Sequence, residues 1–239
     1  MEKPVKTADK VVPKDIAKVP TATSGDTLHT LTRAGLSAIP SLGGPAVEIF
    51  NAIFTPPLNK RKDAWIHSIA KSLIELEGKV DGFNLETLSK NEVFITTVTH
   101  ATYTAIRNHH EVKLTALRNA VINSALPNPP DEDLQLMFIN FIDFLTPWHL
   151  RILSLFQDPK AYMNKNKIPL PSFSGGLRSM ILHVFPELKG REDFLIQIVK
   201  DLYSRGLIHS DSIGTMLSDV FAPQTTNLGN QFVAFISSN

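Results

Sequence analysis

The chain has 239 residues, 43 % of them hydrophobic and 20 % charged, a balance that supports a sizeable core and excludes wholesale disorder. Its formal net charge of +1 gives no general pull toward nucleic acid or anionic lipid, so electrostatic binding needs a local patch. Cysteine is absent, which excludes disulfides, thiolate zinc sites, iron–sulfur clusters and cysteine nucleophiles.

Residues 1–27 read as a disordered tail. Lys3, Lys6, Lys10, Lys14 and Lys18 recur at three- or four-residue intervals, but Pro4, Pro13 and Pro20 interrupt any helix, and Glu2, Asp9 and Asp15 dilute the charge. The tail lacks the apolar core of a secretory signal, so the cytoplasm is the expected location.

A helical bundle is expected over 28–126. Its most apolar stretch, AGLSAIPSLGGPAVEIFNAIF at 34–54, carries Glu48 as its one charge. Pro40 and Gly43-Gly44-Pro45 divide it into a hairpin of two short helices, the second ending at Pro56-Pro57. Ile39, Leu42, Val47, Ile49, Phe50, Ile53 and Phe54 form its apolar surface, a candidate for burial, partner contact or insertion into a membrane. The next helix opens at Pro57 and closes at Gly78, with Trp65, Ile66, Ile69, Ala70, Leu73 and Leu76 as its stripe and Lys60, Arg61 and Lys62 as a basic first turn. Asn84 suits the cap of a short helix, and Ser89 with Glu92 has capping-box spacing. Residues 91–126 read as one long helix or two in line, despite the β-branched run VFITTVTHATYTA.

Pro127, Pro129 and Pro130 break the chain. A second domain, a winged-helix-like α+β unit, is expected over 131–239. Asp131, Glu132 and Asp133 open a helix with Leu134, Met137, Phe138, Phe141, Ile142 and Leu145 on its apolar face, and Thr146-Pro147 starts another directly. Residues 157–176 read as a polar loop insertion. GLRSMILHVF and REDFLIQIVKDLYSRG then give two helices, Gly206-Leu207-Ile208 turns into an extended, wing-like segment, and TTNLGNQFVAFI closes the chain.

Winged helices commonly read DNA with the second of their paired helices. Arg178, Lys189, Arg191, Lys200 and Arg205 are the candidate phosphate contacts, opposed by Glu192 and Asp193 in the first turn of that helix. Nothing spells out catalysis: GxxxxGK[ST], HExxH, GxSxG and GxGxxG are all absent. Arg178 and His183 have the R-x4-H spacing of some metal-independent ribonucleases, a short motif that arises by chance. His109-His110 is the densest polar cluster, but neighbours on a helix point about 100° apart and do not readily share a metal. No catalytic residue, metal ligand or cofactor is therefore expected.

The blocks IPSLGGPAVEIFNAIFTPPLNKRKDAWIHSIAKSL, LRNAVINSALPNPPDEDLQLMFINFIDFLTPWHLRIL and DLYSRGLI with TTNLGNQFVAFI resemble a widespread set of uncharacterised bacterial helical/winged-helix proteins. Their layout is distantly similar to the abortive-infection alpha family of phage-defence proteins. The resemblance implies a non-enzymatic interaction or regulatory protein with a link to phage defence, acting on a protein partner. It carries no catalytic residue across. A DNA-binding regulator and a membrane-perturbing effector are the alternatives.

Overall fold

Residues 45–80, 83–170, 176–214, 216, 219 and 221–238 are described by a computed structural model, with side chains from residue 57 onward. The chain divides into two units, residues 1–55 and 56–239. Of the first, only the helical backbone from Pro45 is described. The tail, Ile39, Leu42 and the turn at Gly43-Gly44 lie outside the described residues.

Helix α1 runs unbroken over Pro45–Glu77. Pro56-Pro57 was expected to end a helix, and it does not. The two prolines lack the N–H groups that would meet the carbonyls of Ala52 and Ile53, yet the helical backbone continues through them. Val47, Ile49, Phe50, Ile53 and Phe54 ride on this backbone. Among the described residues no helix is long and apolar enough to cross a membrane.

In the second unit the short helix α2 (Leu85–Leu88) begins as expected at Asn84, whose carbonyl Oδ1 accepts from Glu86 N and Thr87 N. Helices α3 (Glu92–Arg107) and α4 (Glu111–Ala125) follow. The cap of α3 is Asn91, accepting from Phe94 N, and not Ser89. The pair α3 and α4 are not in line. The chain leaves the helix at Asn108–His110 and the two helices pack against each other. Asp131 caps α5 (Glu132–Phe144) through Leu134 N. Thr146 and His149 form a reciprocal capping box at the start of α6 (Pro147–Gln157), with Pro147 in its first turn.

The expected loop at 157–176 contains another helix, α7 (Pro159–Lys165). Asp158 caps it through Ala161 N, Pro159 opens it, and Met163 plugs into the core. Helices α8 (Leu177–Val184) and α9 (Glu192–Ser204) flank a 3-10 turn at Pro186–Leu188, and α10 (Asn227–Ile236) closes the chain under its Thr226 cap.

The described residues form no wing. Among the described residues there is no strand, only two isolated antiparallel bridges, Gly176 to Met216 and Ile208 to Thr225. Local side chains take the backbone donors a ladder would need. Ser210 Oγ accepts from Ser212 N, Ser212 Oγ from Gly214 N, and Asp219 Oδ1 from Phe221 N. The protein is mainly helical, and the α+β expectation for 131–239 is corrected accordingly.

The unit 56–239 shares a single core, from Trp65 and Ile69 of α1 through Phe138, Ile142, Phe156 and Leu195 to Phe232 and Ile236 of α10. No division falls between 126 and 131. Phe138 stacks obliquely on Phe232 at 5.4 Å and Phe235 at 5.6 Å, and Phe141 meets Phe232 edge-on at 5.6 Å. The "LGNQF" run is explained here. A Cβ on Gly229 would overlap the carbonyl oxygen of Leu207, so only glycine lets α10 approach that segment. Gly206 ends α9 with φ +69°, and Leu207 N reaches Leu202 O at 3.0 Å in a Schellman turn.

Candidate interaction surface

Five cations were expected to mark a nucleic-acid face. Three of them already contact other side chains. Arg178 grips Glu192 through both Nε and Nη2. That bond holds the Glu192 carboxyl below its usual range and lifts Arg178 above its own. Arg191 lies 4.1 Å over the Phe194 ring, and Arg205 lies 3.5 Å over that of Phe144. Lys189 and Lys200 are exposed. His183 Nε2 donates to the carbonyl of Pro169 at 2.7 Å. His109 and His110 sit off the helix with their rings 4.1 Å apart. Among the described residues no group of three metal-ligating side chains converges.

The densest polar network lies instead where α5 meets α6. Phe144 and Leu145, between Asp143 and Thr146, turn the chain, and α4 and α9 pack against the turn. His149 is only 4 % exposed. Its Nδ1 accepts from Thr146 N at 3.1 Å and lies 2.8 Å from the Thr146 hydroxyl. A nitrogen that accepts a backbone N–H carries no proton, so the ring proton sits on Nε2 and donates to Asp201 Oδ2 at 3.2 Å. Gln197 Nε2 braces the other carboxylate oxygen at 2.8 Å. Burial pushes the His149 pKa down, against the opposing pull of Asp201. A threonine hydroxyl, a histidine and an aspartate in this order resemble the parts of a nucleophilic triad. Here the hydroxyl belongs to a helix-capping residue, and the ring nitrogen that faces it also accepts from the Thr146 backbone N–H.

Lys113 of α4 is 6 % exposed and donates from Nζ to the carbonyl of Asp143 at 2.7 Å. Burial lowers its pKa, with the Asp143 charge opposing. Arg107 Nη2 binds the Asp143 carboxylate at 2.9 Å, and Arg107 Nε donates to Tyr103 O at 3.2 Å. Arg205 Nη1 reaches Asp201 O at 3.2 Å. The outer layer of this network is Tyr103, Arg107, Phe144 and Arg205. Tyr103 is 68 % exposed and Phe144 57 %. The turn that carries Phe144 is thus held by a buried lysine and a buried histidine.

Of these residues, sequence reasoning singled out Thr146, as a helix start, and Arg205, for a different purpose. The local signal for the rest was the "DFLTPWH" run. Its cap was legible, but the pairings to Lys113 and Asp201 join residues 30 and 52 positions apart.

A second feature lies between α1 and α4. Two clefts of about 220 and 380 Å³ flank the side chain of Arg118, which borders both. Trp65 Nε1 donates to Thr102 Oγ1 at 2.9 Å beside the smaller one.

No protein-family model, no curated protein and no solved structure matches this chain.

Proposed function

We propose that the protein is a non-enzymatic interaction protein that docks an acidic segment of a partner protein on the surface of Tyr103, Arg107, Phe144 and Arg205. The observation that carries the reading is the exposure of two aromatic rings, Tyr103 one turn before Arg107 on α3 and Phe144 under the Arg205 guanidinium. Tyrosine, phenylalanine and arginine are the side chains that concentrate in protein interfaces and supply their anchoring energy. The layer beneath supports the reading as well. Lys113 and His149 fix the backbone at Asp143 and Thr146, so Phe144 is presented on a rigid turn and little ordering remains to be done on binding. Three cations, Arg107, Lys113 and Arg205, stand against the two carboxylates of Asp143 and Asp201, which favours an acidic counterpart. Phage defence enters this reading solely through the layout resemblance, which loses its wing among the described residues.

Photo-crosslinking amino acids installed at positions 103 and 144 in the producing cell test it. Position 90, just before the start of α3 and more than three helical turns of chain from Tyr103, serves as the control. The expected result is one adduct of the same mass from 103 and 144, absent from 90 and lost in Arg205→Glu. Identical adducts from all three positions, or none from any, sink the reading. Fluorescence anisotropy with random duplex DNA over a salt series separates it from the DNA-binding alternative, because phosphate contacts give a steep salt dependence. No such dependence is expected.

A further inference from the structure

The smaller cleft between α1 and α4 lies apart from the residues of that surface. It encloses about 220 Å³ and is lined by Arg61, Trp65, Ser68, Asn108, Glu111 and Arg118 among others. Its two guanidiniums have neutral partners only. Arg118 Nη1 donates to Ser68 Oγ at 3.1 Å and Nη2 to Thr115 Oγ1 at 3.3 Å, while Arg61 Nη1 reaches the carbonyl of Ile106 at 3.5 Å. Among the described residues, the ion pairs of this protein involve neither arginine. Arg118 is half-buried. A guanidinium removed from water without a carboxylate keeps both its charge and its spare donors.

We propose that this cleft binds a small phosphate-bearing molecule. Hydroxyl and carbonyl partners hold the guanidiniums in place without neutralising them, so their charge is available to a ligand. Helix α4 begins at the same end of the cleft, and its cap residue His110 offers the first-turn amides no side-chain acceptor, which adds to the positive potential there. Glu111 is the one acid in the lining, and its Oε1 already accepts from Thr115 Oγ1 at 3.3 Å. One carboxylate against two arginines leaves an excess of positive charge, and the donors of two guanidiniums match the several oxygens of a phosphate better than the two of a carboxylate. Ser68 and Asn108 supply neutral hydrogen-bonding groups, and Trp65 and Leu114 an apolar wall. The volume lies below the roughly 300 Å³ at which drug-sized sites begin, so the ligand is a phosphate with a few further heavy atoms and not a nucleotide.

The test uses the full chain carrying Trp148→Phe, which leaves Trp65 as the one tryptophan. Its emission is titrated with inorganic phosphate and, at matched ionic strength, with acetate. Saturable binding of phosphate is expected at millimolar or lower concentration, with acetate at least roughly tenfold weaker. Arg118→Gln and Arg61→Gln should each weaken phosphate binding by roughly tenfold, the scale of one lost charge-assisted hydrogen bond. Glu111→Gln should tighten it. Circular dichroism confirms that each variant is folded, and Arg61, exposed on the rim, keeps the test open should Arg118→Gln fail to fold. Emission that tracks ionic strength alone, or phosphate affinity indifferent to both arginine variants, overturns the site. Equal affinity for acetate overturns the phosphate assignment. None of these outcomes bears on Phe144 or Arg205, so the two proposals fail separately.

Discussion

Asn123, on α4, donates its side-chain amide to the carbonyl of Phe235 at 2.8 Å, on the last turn of α10, across 112 positions of sequence. The same nitrogen lies 2.9 Å from Ser237 O and 3.2 Å from Ala234 O, and Asn119 reaches Ile236 O at 2.9 Å. A helix end leaves its last four carbonyls without intrahelical donors. Here two asparagines one turn apart on a neighbouring helix supply them, and so fasten the C-terminus of the chain to its centre.

Replacing Asn123 with alanine therefore leaves several C-terminal carbonyls short of a donor in a largely buried setting. The expected loss is about 1–3 kcal/mol, read as a lower denaturant midpoint with an unchanged slope. Asn119→Ala should cost less, and the double variant less than the sum, because the two share one helix end. A midpoint unmoved by Asn123→Ala means that water satisfies those carbonyls equally well.

Acid should weaken the fold through His149. Burial holds its folded pKa below the ordinary histidine value of about 6.5. Below that pH the unfolded chain takes a proton that the folded chain refuses, so stability falls as the pH drops and levels off below the folded pKa. Protonating Nδ1 would also aim an N–H at the N–H of Thr146. Denaturation of wild type and His149→Gln at pH 7.5 and 5.5 isolates this residue from the other seven histidines. The wild type should lose more stability than the variant, and equal losses refute the assignment.

Gly229→Ala should be among the most damaging single-methyl additions in the chain. The new Cβ meets backbone, the Leu207 carbonyl oxygen, and not the end of a flexible side chain. Helix α10 must back away from the core or the Leu207–Thr226 backbone bond must break. A loss of at least about 2 kcal/mol is expected. Gly190→Ala, at a positive φ but with open space around it, should cost about 1 kcal/mol through strain alone. Thermal melts that rank the two in the opposite order contradict the close-approach argument.

Phe144→Ala and Arg205→Ala probe the proposed surface with little harm to the fold. Phe144 is mostly solvated, and its contact with Arg205 is worth about 0.5–1 kcal/mol at an exposed site. Stability should change by no more than that in either variant, while crosslinking from position 103 disappears. A large stability loss shows that the ring serves the fold.

Local chemistry alone determined most of the helices. Caps such as Asn84, Asp131, Thr146 and Thr226 satisfy amides within three residues of themselves, so they are legible wherever they occur. The apolar stripes of α1, α5 and α9 follow from the same short range, although Ile66 and Ala70 of the α1 stripe turned out exposed. Asp158-Pro159 is the same kind of signal, and it was hidden by the polar, lysine-rich residues after it.

Tertiary structure decided the rest. Whether 207–226 became a wing depended on which acceptors its N–H groups found: the side chains of Ser210, Ser212 and Asp219 took three of them, and the carbonyl of Phe156 took that of Gln224. Both Lys113 and His149 look like ordinary surface residues in a linear chain. They became buried supports because Asp143 O and Asp201 lay within reach once α4, α5 and α9 had packed. Pairings of that kind join residues far apart in sequence, and no periodicity or spacing within one segment encodes them, because the partner is chosen by the packing of helices whose faces are all simply apolar.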